Sequence, residues 1–268
     1  MNLEIIASEL KAAQDRRQPV EPVTSRLPDF NMDAAYDVAR RIHAARLQEG
    51  AAAIGRKIGF SNRAIWPVFG VHESIWAYVY DTTVPRSRDN CRRCGIGRFL
   101  EPRIEPEIVA HFSVAPPRSD DPAELLACID WLALGFEVVQ SHFPGWKFKA
   151  ADAVADSGLH GALIIGEPRA PRELGPDLIG RMARFTVTLT CDGGVRETGR
   201  GANVLESPLA AIAHLAAVLA SQHAPAIGAG ELVTTGTLTG APLIHSGEVW
   251  NATLEELALP DLALALDP

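Results

Sequence analysis

Three glutamates occupy two segments of the sequence that otherwise read as buried strands. Glu105 and Glu107 lie in the stretch RIEPEIV. Because side chains alternate along an extended strand, both carboxylates point to one face while Ile104 and Ile108 point to the other. Glu137 is the one carboxylate in the apolar segment GFEVVQ. A solvated outer face would also suit a Glu-x-Glu pair, but the apolar neighbours favour carboxylates that are buried together and share a cation.

The chemistry that such a cluster supports is that of a hard divalent cation. Carboxylate oxygens suit Mg²⁺ or Mn²⁺, and a site that keeps open positions for water and substrate supports Lewis-acid catalysis. Pro106 stands between the first two glutamates. Because proline has no N–H to donate, it predicts an edge strand or a bulge at this position.

Length and charge limit the classes of protein that the chain can belong to. With 268 residues, of which 47% are hydrophobic, the chain can bury the core of one large domain, or of a main domain with a small N-terminal attachment. A net charge of −8 argues against nucleic acid or a membrane as the main partner. The opening stretch MNLEIIASELKAAQDRR indicates a helix rather than a signal peptide, so we expect a cytoplasmic protein.

Four cysteines raise the question of a zinc site or a redox centre. Cys91 and Cys94 are spaced as half of a zinc site or as a redox dithiol, but Cys128 and Cys191 do not supply a second pair at a matching spacing. The sequence therefore predicts reduced thiols without a catalytic role.

Periodicity and capping residues predict helices and strands that do not alternate regularly. The predicted helices cover about residues 2–16, 32–49, 120–135 and 208–222. The predicted strands lie at 55–60, 77–84, 103–109 and 136–143, with a hairpin over 184–201 and a strand-rich tail after residue 231. This order favours the α+β class over a doubly wound sheet.

Several blocks of the sequence together resemble the 2-keto-4-pentenoate hydratase family of the fumarylacetoacetate hydrolase superfamily. These blocks are GRKIGFS, EPRIEPEIV, GFEVVQS, DAVADSGLHGALIIG, GRGANVLESPLAAIAHLA, TTGTLTG and SGEVW. The resemblance implies a mixed β-roll core, with an N-terminal α+β part over residues 1–80 and a catalytic domain over residues 81–268. It also implies a homo-oligomer that holds Mg²⁺ or Mn²⁺ on Glu105, Glu107 and Glu137 and acts on a small 2-oxo or 2-enol acid.

The resemblance also assigns roles to further residues. Lys57 matches the lysine of the family's KIG block and would place positive charge near the carboxylate or enolate oxygen of the substrate. Lys149, Asp152 and Asp156 match positions that line or brace the family's pocket. Without the resemblance, Lys57 would read equally well as a solvated lysine at the end of a strand.

Two positions depart from the family pattern. Ile75 stands where the family has an aspartate, and Leu159 stands where it has a serine. The pocket wall should therefore be more apolar at these positions, and proton transfer would fall to other groups. His160 in GLHG and His142 in QSHF are candidates because histidine titrates near neutrality. We expect the side chain of His160 to enter the pocket opposite the three glutamates. Each histidine could instead be structural.

Three functions remain open at this point. The first is a metal-dependent lyase that adds water to a 2-keto-4-pentenoate-like acid in a catabolic pathway for aromatic compounds. The second is a decarboxylase of a vinylogous 2-oxo-diacid, which need not activate water. The third is a non-catalytic homologue that has kept the fold and the metal.

Overall fold

A computed structural model of the protein describes residues 1–63, 66–85 and 92–268. Helices and two mixed sheets share these residues, which agrees with the predicted α+β class. The helices are α1 (Leu3–Arg16), α2 (Val23–Arg26), α3 (Met32–Gln48), α4 (Trp66–Phe69), α5 (Pro122–Ala127), α6 (Ala150–Ala155), α7 (Leu178–Arg184) and α8 (Pro208–Ser221).

The strands form two sheets within the described part of the chain. They are β1 (Ala53–Gly59), β2 (Ile75–Tyr80), β3 (Arg92–Gly95), β4 (Arg103–Phe112), β5 (Ile129–Val139), β6 (His160–Ile165), β7 (Thr186–Cys191), β8 (Gly194–Arg200), β9 (Leu232–Thr234), β10 (Val249–Glu255) and β11 (Leu262–Asp267). The first sheet has the order β2-β1-β9-β4-β5-β6, and the second has the order β3-β11-β10-β7-β8.

Local signals account for the long helices. The side chain of Asn2 accepts from the backbone N–H of Glu4 at the start of α1, and Asn31 does the same for Ala34 in α3. Ser207 caps α8, whose first residue is a proline. These three helices and the β7–β8 hairpin confirm the predictions for their segments.

Among the residues that the structure describes, one helical stretch is long and apolar enough to cross a membrane by length and composition. It runs from Gly201 to Ser221, with a mean hydropathy of 1.6, and half of it is buried in the fold. Within it, α8 places Leu209, Ile212 and Leu215 in the hydrophobic core, as a core helix does.

The register of the first sheet decides which side chains share a face. Lys57 on β1 pairs with Thr234 on β9, and Thr234 pairs with Val109 on β4. Glu105 on β4 lies opposite Glu137 on β5. Paired residues, and residues two apart on one strand, point to the same side of a sheet. The lysine and all three glutamates therefore lie on one face.

The other face of this sheet belongs to the main core. Ile104, Ile108 and Phe136 are buried there in one cluster with Val187 and Trp250 of the second sheet. The alternation predicted for the RIEPEIV stretch is therefore present, with isoleucines towards the core and carboxylates away from it.

Two local predictions are wrong. The helix predicted over residues 120–135 ends at Ala127, and β5 begins at Ile129, because the ten-residue strand β4 offers a pairing partner along this whole segment. Strand β4 is also an interior strand, and its register shifts between His111 and Phe112 rather than at Pro106.

The missing N–H of Pro106 is tolerated because β9 does not extend beside it. Strand β9 pairs only with Val109 to His111 of β4. On that side, the carbonyl of Pro106 instead accepts from the backbone N–H of Leu238. The proline therefore removes no hydrogen bond of the β4–β5 ladder.

Cys94, Cys128 and Cys191 are free thiols. Cys91, the other half of the predicted pair, lies outside the described residues.

Candidate active site

The three glutamates predicted as metal ligands lie together on the first sheet. One carboxylate oxygen from each of Glu105, Glu107 and Glu137 lies within 4.8 Å of the other two. Glu107 and Glu137 are fully buried, and Glu105 is half-buried at the wall of a cavity. Three carboxylates this close together need a compensating cation if they are ionised.

Each buried glutamate has one oxygen held by a hydrogen bond and one oxygen that makes no hydrogen bond among the described residues. For Glu107, Oε2 accepts from the backbone N–H of Gly236 at 2.8 Å. For Glu137, Oε1 lies 2.7 Å from Nδ1 of His160. Among the described residues, Oε1 of Glu107 and Oε2 of Glu137 have no hydrogen-bond partner. Buried acceptors of this kind are costly, so the two oxygens fit a role as metal ligands.

Gly236 is required at its position by two observations. Its φ is +96°, a region that favours glycine, and a Cβ there would lie 2.0 Å from Oγ of Ser61. The donor to Glu107 therefore comes from a close approach that only glycine permits.

Burial and mutual repulsion separate the acidities of the carboxyls. Burial raises the pKa of Glu105 to about 7, although Lys57 opposes this change. Burial, together with Glu137 and Glu105, raises the pKa of Glu107 well above its ordinary value. Burial alone would also raise the pKa of Glu137, but Lys57 and His160 outweigh it and lower that pKa. Glu137 is therefore the most acidic of the three.

Lys57 is a buried cation next to the glutamates. Its side chain is 4% exposed, its Nζ donates to the carbonyl of Gly158 at 3.0 Å, and the same atom lies 3.3 Å from Oε2 of Glu137. Burial would lower the pKa of Lys57, but the three glutamates outweigh burial and raise it. The ammonium is thus charged and lines the cavity.

The cavity beside this cluster has a volume of about 170 Å³. Lys57 and Glu105 line it, Ser61, Asn62 and Thr237 add polar groups, and the remaining wall is largely apolar. The apolar side chains are Ile58, Phe60, Ile75, Val139, Trp146, Phe148 and Leu159. Ile75 and Leu159, the two departures from the family pattern, both lie in this wall.

Sequence reasoning did not identify the aromatic part of the wall or Ser61 and Thr237. The stretch HFPGWKF carries two of these aromatic residues, Trp146 and Phe148, and the indole N–H of Trp146 donates to the carbonyl of Glu101 at 3.0 Å. This density of aromatic residues next to a strand carrying a buried carboxylate was the available signal.

His160 lies behind Glu137 rather than across the cavity from the glutamates. Its Nδ1 contacts Oε1 of Glu137, its Nε2 lies 2.8 Å from Oγ1 of Thr83, and its side chain is 3% exposed. His160 is not among the residues that line the cavity beside Lys57. This position differs from the placement expected from the sequence, because a shift of register at the start of β6 turns His160 towards the strand of Glu137.

His142 is also buried away from the cavity. Its Nδ1 lies 2.8 Å from Oδ2 of Asp156, whose other oxygen accepts from the amide of Gln14 at 3.0 Å. This contact joins the residues that follow β5 to the turn after α6, and Gln14 adds α1. His142 and Asp156 therefore hold these three segments together.

Asp152 and Lys149 do not line the cavity in the described structure. Asp152 is fully buried and accepts from the backbone N–H and the hydroxyl of Thr24, at 2.9 and 2.6 Å, and from the backbone N–H of Lys149 at 2.9 Å. It therefore caps α6 and ties α2 to it, while the side chain of Lys149 is exposed.

Comparison with known proteins identifies the family of the chain. The sequence profile of the fumarylacetoacetate hydrolase C-terminal family matches residues 45–259. This range covers most of the chain and includes Lys57, the three glutamates and the cavity wall. The protein belongs to this family.

Individual relatives fall into two named activities. The chain is 31% identical over 217 residues to a 2-hydroxypent-2,4-dienoate hydratase of Pseudomonas putida, a match that covers 80% of this chain and 94% of the relative. It is 29% identical to a 4-oxalocrotonate decarboxylase of a Pseudomonas species, covering 80% of this chain and 79% of the relative.

A solved structure supports the fold. The 4-oxalocrotonate decarboxylase of Pseudomonas putida G7, complexed with magnesium and adipate, superposes with a TM-score of 0.89. The sequences are 24% identical, and the match covers 98% of this chain and 97% of that chain. At this identity the likeness establishes a shared fold.

Proposed function

We propose that this protein is a divalent-metal-dependent lyase that adds water to a short 2-hydroxy-alkadienoic acid. The observation that carries the proposal is the pair of buried carboxylate oxygens that make no hydrogen bond among the described residues, on Glu107 and Glu137, beside Lys57 in the wall of a largely apolar cavity. Relatives near 30% identity that are named hydratases of such acids support the same class of substrate.

Glu105, Glu107 and Glu137 are the residues that would hold the cation, Mg²⁺ or Mn²⁺. A divalent cation bound there supplies positive charge to the carboxylate and the 2-oxygen of the substrate. Gly236 and His160 hold the other oxygens of the two buried glutamates. The donor set is thus oriented before a ligand arrives.

Lys57 would stabilise the charge that develops on the substrate. An ammonium has three N–H donors, and the described contacts of Lys57 are with the carbonyl of Gly158 and the carboxylate of Glu137. One N–H is left for a substrate oxygen in the cavity. A buried donor aimed at a developing negative charge is among the strongest contributors to catalysis.

The apolar wall favours hydration of a monocarboxylic acid over decarboxylation of a diacid. The distal carboxylate of a diacid would be matched best by a second cation. Within the described part of the chain, Lys57 is the only cationic side chain that lines this cavity, and the polar groups of Ser61, Asn62 and Thr237 are neutral. Ile75 and Leu159 would instead contact the hydrocarbon tail.

The remaining sequence expectations are part of the proposal. We propose that the two sheets form the β-roll core expected for the family, that residues 1–80 and 81–268 are the N-terminal part and the catalytic domain, and that the protein is a cytoplasmic homo-oligomer. Strands β1 and β2 of the first part pair within the same sheet as β4 to β6. We further propose that its substrate is a small molecule and that it binds neither nucleic acid nor membranes.

The test is an assay of the purified protein with Mg²⁺ and 2-hydroxypenta-2,4-dienoate. Addition of water across a carbon–carbon double bond removes the conjugated diene, so ultraviolet absorbance should fall without release of CO₂. EDTA and Glu107→Gln should each abolish this activity, because both remove the cation from the carboxylates. Glu21→Gln, the same change at an exposed glutamate, is the matched control.

A parallel assay with an unsaturated 2-oxo-diacid separates the alternative reaction. Release of CO₂ from the diacid, with no loss of the diene from the monoacid, would establish a decarboxylase instead. Inactivity towards both acids in a protein that binds Mg²⁺ would indicate the non-catalytic homologue.

A further inference from the structure

Glu137 is held by a chain of hydrogen bonds that leads away from the cavity. Oε1 of Glu137 contacts Nδ1 of His160 at 2.7 Å, and Nε2 of His160 contacts Oγ1 of Thr83 at 2.8 Å. The hydroxyl of Thr83 donates to the carbonyl of Tyr80 at 2.9 Å. Both ring nitrogens of His160 are therefore engaged, and the ring cannot rotate without breaking one contact.

The direction of these bonds follows from the donors available. Because the single hydrogen of the Thr83 hydroxyl is used on the carbonyl of Tyr80, its oxygen can only accept from Nε2–H of His160. The imidazole is thereby fixed, through Thr83, to the carbonyl of Tyr80, the last residue of β2. Nδ1 faces Oε1 of Glu137, and a bond to the ionised carboxylate requires an N–H on this nitrogen as well.

A one-residue bulge brings His160 to the face of the sheet that carries Glu137. Leu163 pairs with Glu137 and Ala162 pairs with Val138, but Val139 pairs with His160 rather than with Gly161. Because Val139 and Glu137 are two apart, they share a face, and so does His160. Without the bulge His160 would point to the other face.

The contact with His160 makes the two carboxylate oxygens of Glu137 different from each other. His160 occupies Oε1, so Oε2 is the oxygen that makes no hydrogen bond among the described residues, and its neighbour is the ammonium of Lys57, which forms an ion pair with it at 3.3 Å. We infer that His160 and Thr83 are positioning residues that fix Glu137 in the orientation a metal ligand needs. This inference rests on the proposed metal centre. It gives His160 the role of holding Glu137 in place, and not that of transferring a proton to the substrate.

Calorimetric titration of the metal-free protein with Mg²⁺ tests the inference independently of activity. Partners of metal-binding side chains typically contribute about 10- to 100-fold to metal affinity, so His160→Ala should weaken Mg²⁺ binding by that factor. Thr83→Val removes one neutral hydrogen bond and should weaken binding by about two- to tenfold. The electron paramagnetic resonance spectrum of bound Mn²⁺ should broaden or shift in both variants.

Two isosteric substitutions show which ring nitrogen matters. Asparagine can place its amide N–H near the position of Nδ1, and glutamine can place it near Nε2. His160→Asn should therefore restore Mg²⁺ affinity to within about threefold of the wild type, because it keeps one donor to Glu137. His160→Gln should bind as weakly as His160→Ala.

His111→Gln is the matched control. His111 lies on β4 and contacts Asp130 on β5 at 2.6 Å, in a solvent-exposed pair that is away from the glutamates. Its replacement should leave Mg²⁺ affinity unchanged. Thermal melting of every variant identifies loss of folding, and if His160→Ala does not fold, Thr83→Val and His160→Asn decide the question.

Three outcomes would overturn the inference, and they differ in what they leave standing. Wild-type affinity in both His160→Ala and Thr83→Val would refute positioning and leave the metal centre intact. A loss of about 10² to 10⁴ in kcat at saturating Mg²⁺, with unchanged affinity, would make His160 a general acid or base. A wild-type protein that binds no Mg²⁺ would refute the inference and the proposed function together.

Discussion

Lys57 shows how one residue acquires a role from its surroundings. An isolated buried lysine would lose its proton readily, but here three carboxylates outweigh burial and keep it charged. Two of its contacts fix Nζ at the wall of the cavity. The charge therefore lies in a buried position, where a cation acts more strongly on a reacting anion than it does in bulk water.

Replacement of Lys57 by methionine should lower turnover far more than metal binding. Methionine keeps the apolar stem but removes the donor to the substrate, so kcat should fall by about 10²- to 10³-fold. Mg²⁺ affinity should not fall, because a positive charge next to Glu137 has been removed. Steady-state kinetics and calorimetry measure the two quantities.

Lys147→Met is the control for this change, since Lys147 is exposed and lies outside the cavity. A Lys57→Met enzyme with wild-type kcat would exclude the lysine from the reaction.

At the scale of elements, the turn between α6 and β6 supports the site from several directions. Ser157, Gly158 and Leu159 all have positive φ, at 54°, 63° and 63°. Such a run is rare for residues other than glycine and persists only where the surroundings enforce it. The turn gives its Gly158 carbonyl to Lys57, places Leu159 in the cavity wall and starts β6 at His160.

Gly158→Ala should reduce both stability and activity. The left-handed backbone costs a residue with a Cβ about 1–2 kcal/mol, and that Cβ would lie 3.0 Å from Cβ of Ala77 and 3.1 Å from Cδ of Lys57. Displacement of Lys57 should lower kcat by up to about 100-fold. Thermal melting and steady-state kinetics measure the two effects.

Gly193→Ala is the matched control, because Gly193 has φ +79° but no atom lies within 4 Å of the position that its Cβ would take. It should lose a similar amount of stability and retain full activity. Equal activities in the two variants would show that the turn does not position Lys57.

At the scale of the whole molecule, the acidic cluster makes stability depend on pH and on metal. The ordinary pKa of Glu105 is 4.5, and in the folded protein it is about 7. Between these values the metal-free folded protein keeps a proton that the unfolded chain has released. The free energy of unfolding therefore decreases as pH rises through this window, and the raised pKa of Glu107 acts in the same direction.

Glu137 changes the dependence of stability on pH in the opposite direction. Its pKa is lowered in the fold from an ordinary value of 4.5, so the stability that it contributes is present above pH 4.5 and is lost only as pH falls below that value. Among the three glutamates, Glu105 and Glu107 thus set the trend between pH 4.5 and 7. Burial lowers the pKa of His43 and His214, and these two groups oppose that trend below pH 6.5.

Mg²⁺ should stabilise the protein more at about pH 8 than at about pH 5, because metal binding requires ionised carboxylates and releases the protons that burial retains. The expected result is a difference in Tm between Mg²⁺ and EDTA that grows with pH in scanning calorimetry. A difference in Tm of equal size at both pH values would contradict the assigned ligands. In the absence of metal, the Tm of the Glu105→Gln protein should depend less on pH than that of the wild type.

Local sequence signals were sufficient for much of the secondary structure. The caps at Asn2, Asn31 and Ser207, and the Asp192-Gly193 turn of the β7–β8 hairpin, act within a few residues, so their physics can be read from the sequence. The boundary between α5 and β5 could not be read in this way. The residues from Ile129 onwards form a strand because β4 pairs with them, and a tertiary partner overrides local helix preference.

The sequence by itself determined that Glu105 and Glu107 share a face, that Ile75 and Leu159 make the pocket more apolar, and that Lys57 belongs with the glutamates. These conclusions follow from alternation along one strand or from motifs matched to the family. The tertiary structure alone decided which described oxygens of the glutamates make no hydrogen bond, and it placed His160 behind Glu137 instead of across the cavity. It also assigned Asp152 and His142 to bracing contacts. The physical reason is that each of these facts depends on register and close approach between segments far apart in the chain, and a bulge of one residue is enough to change them.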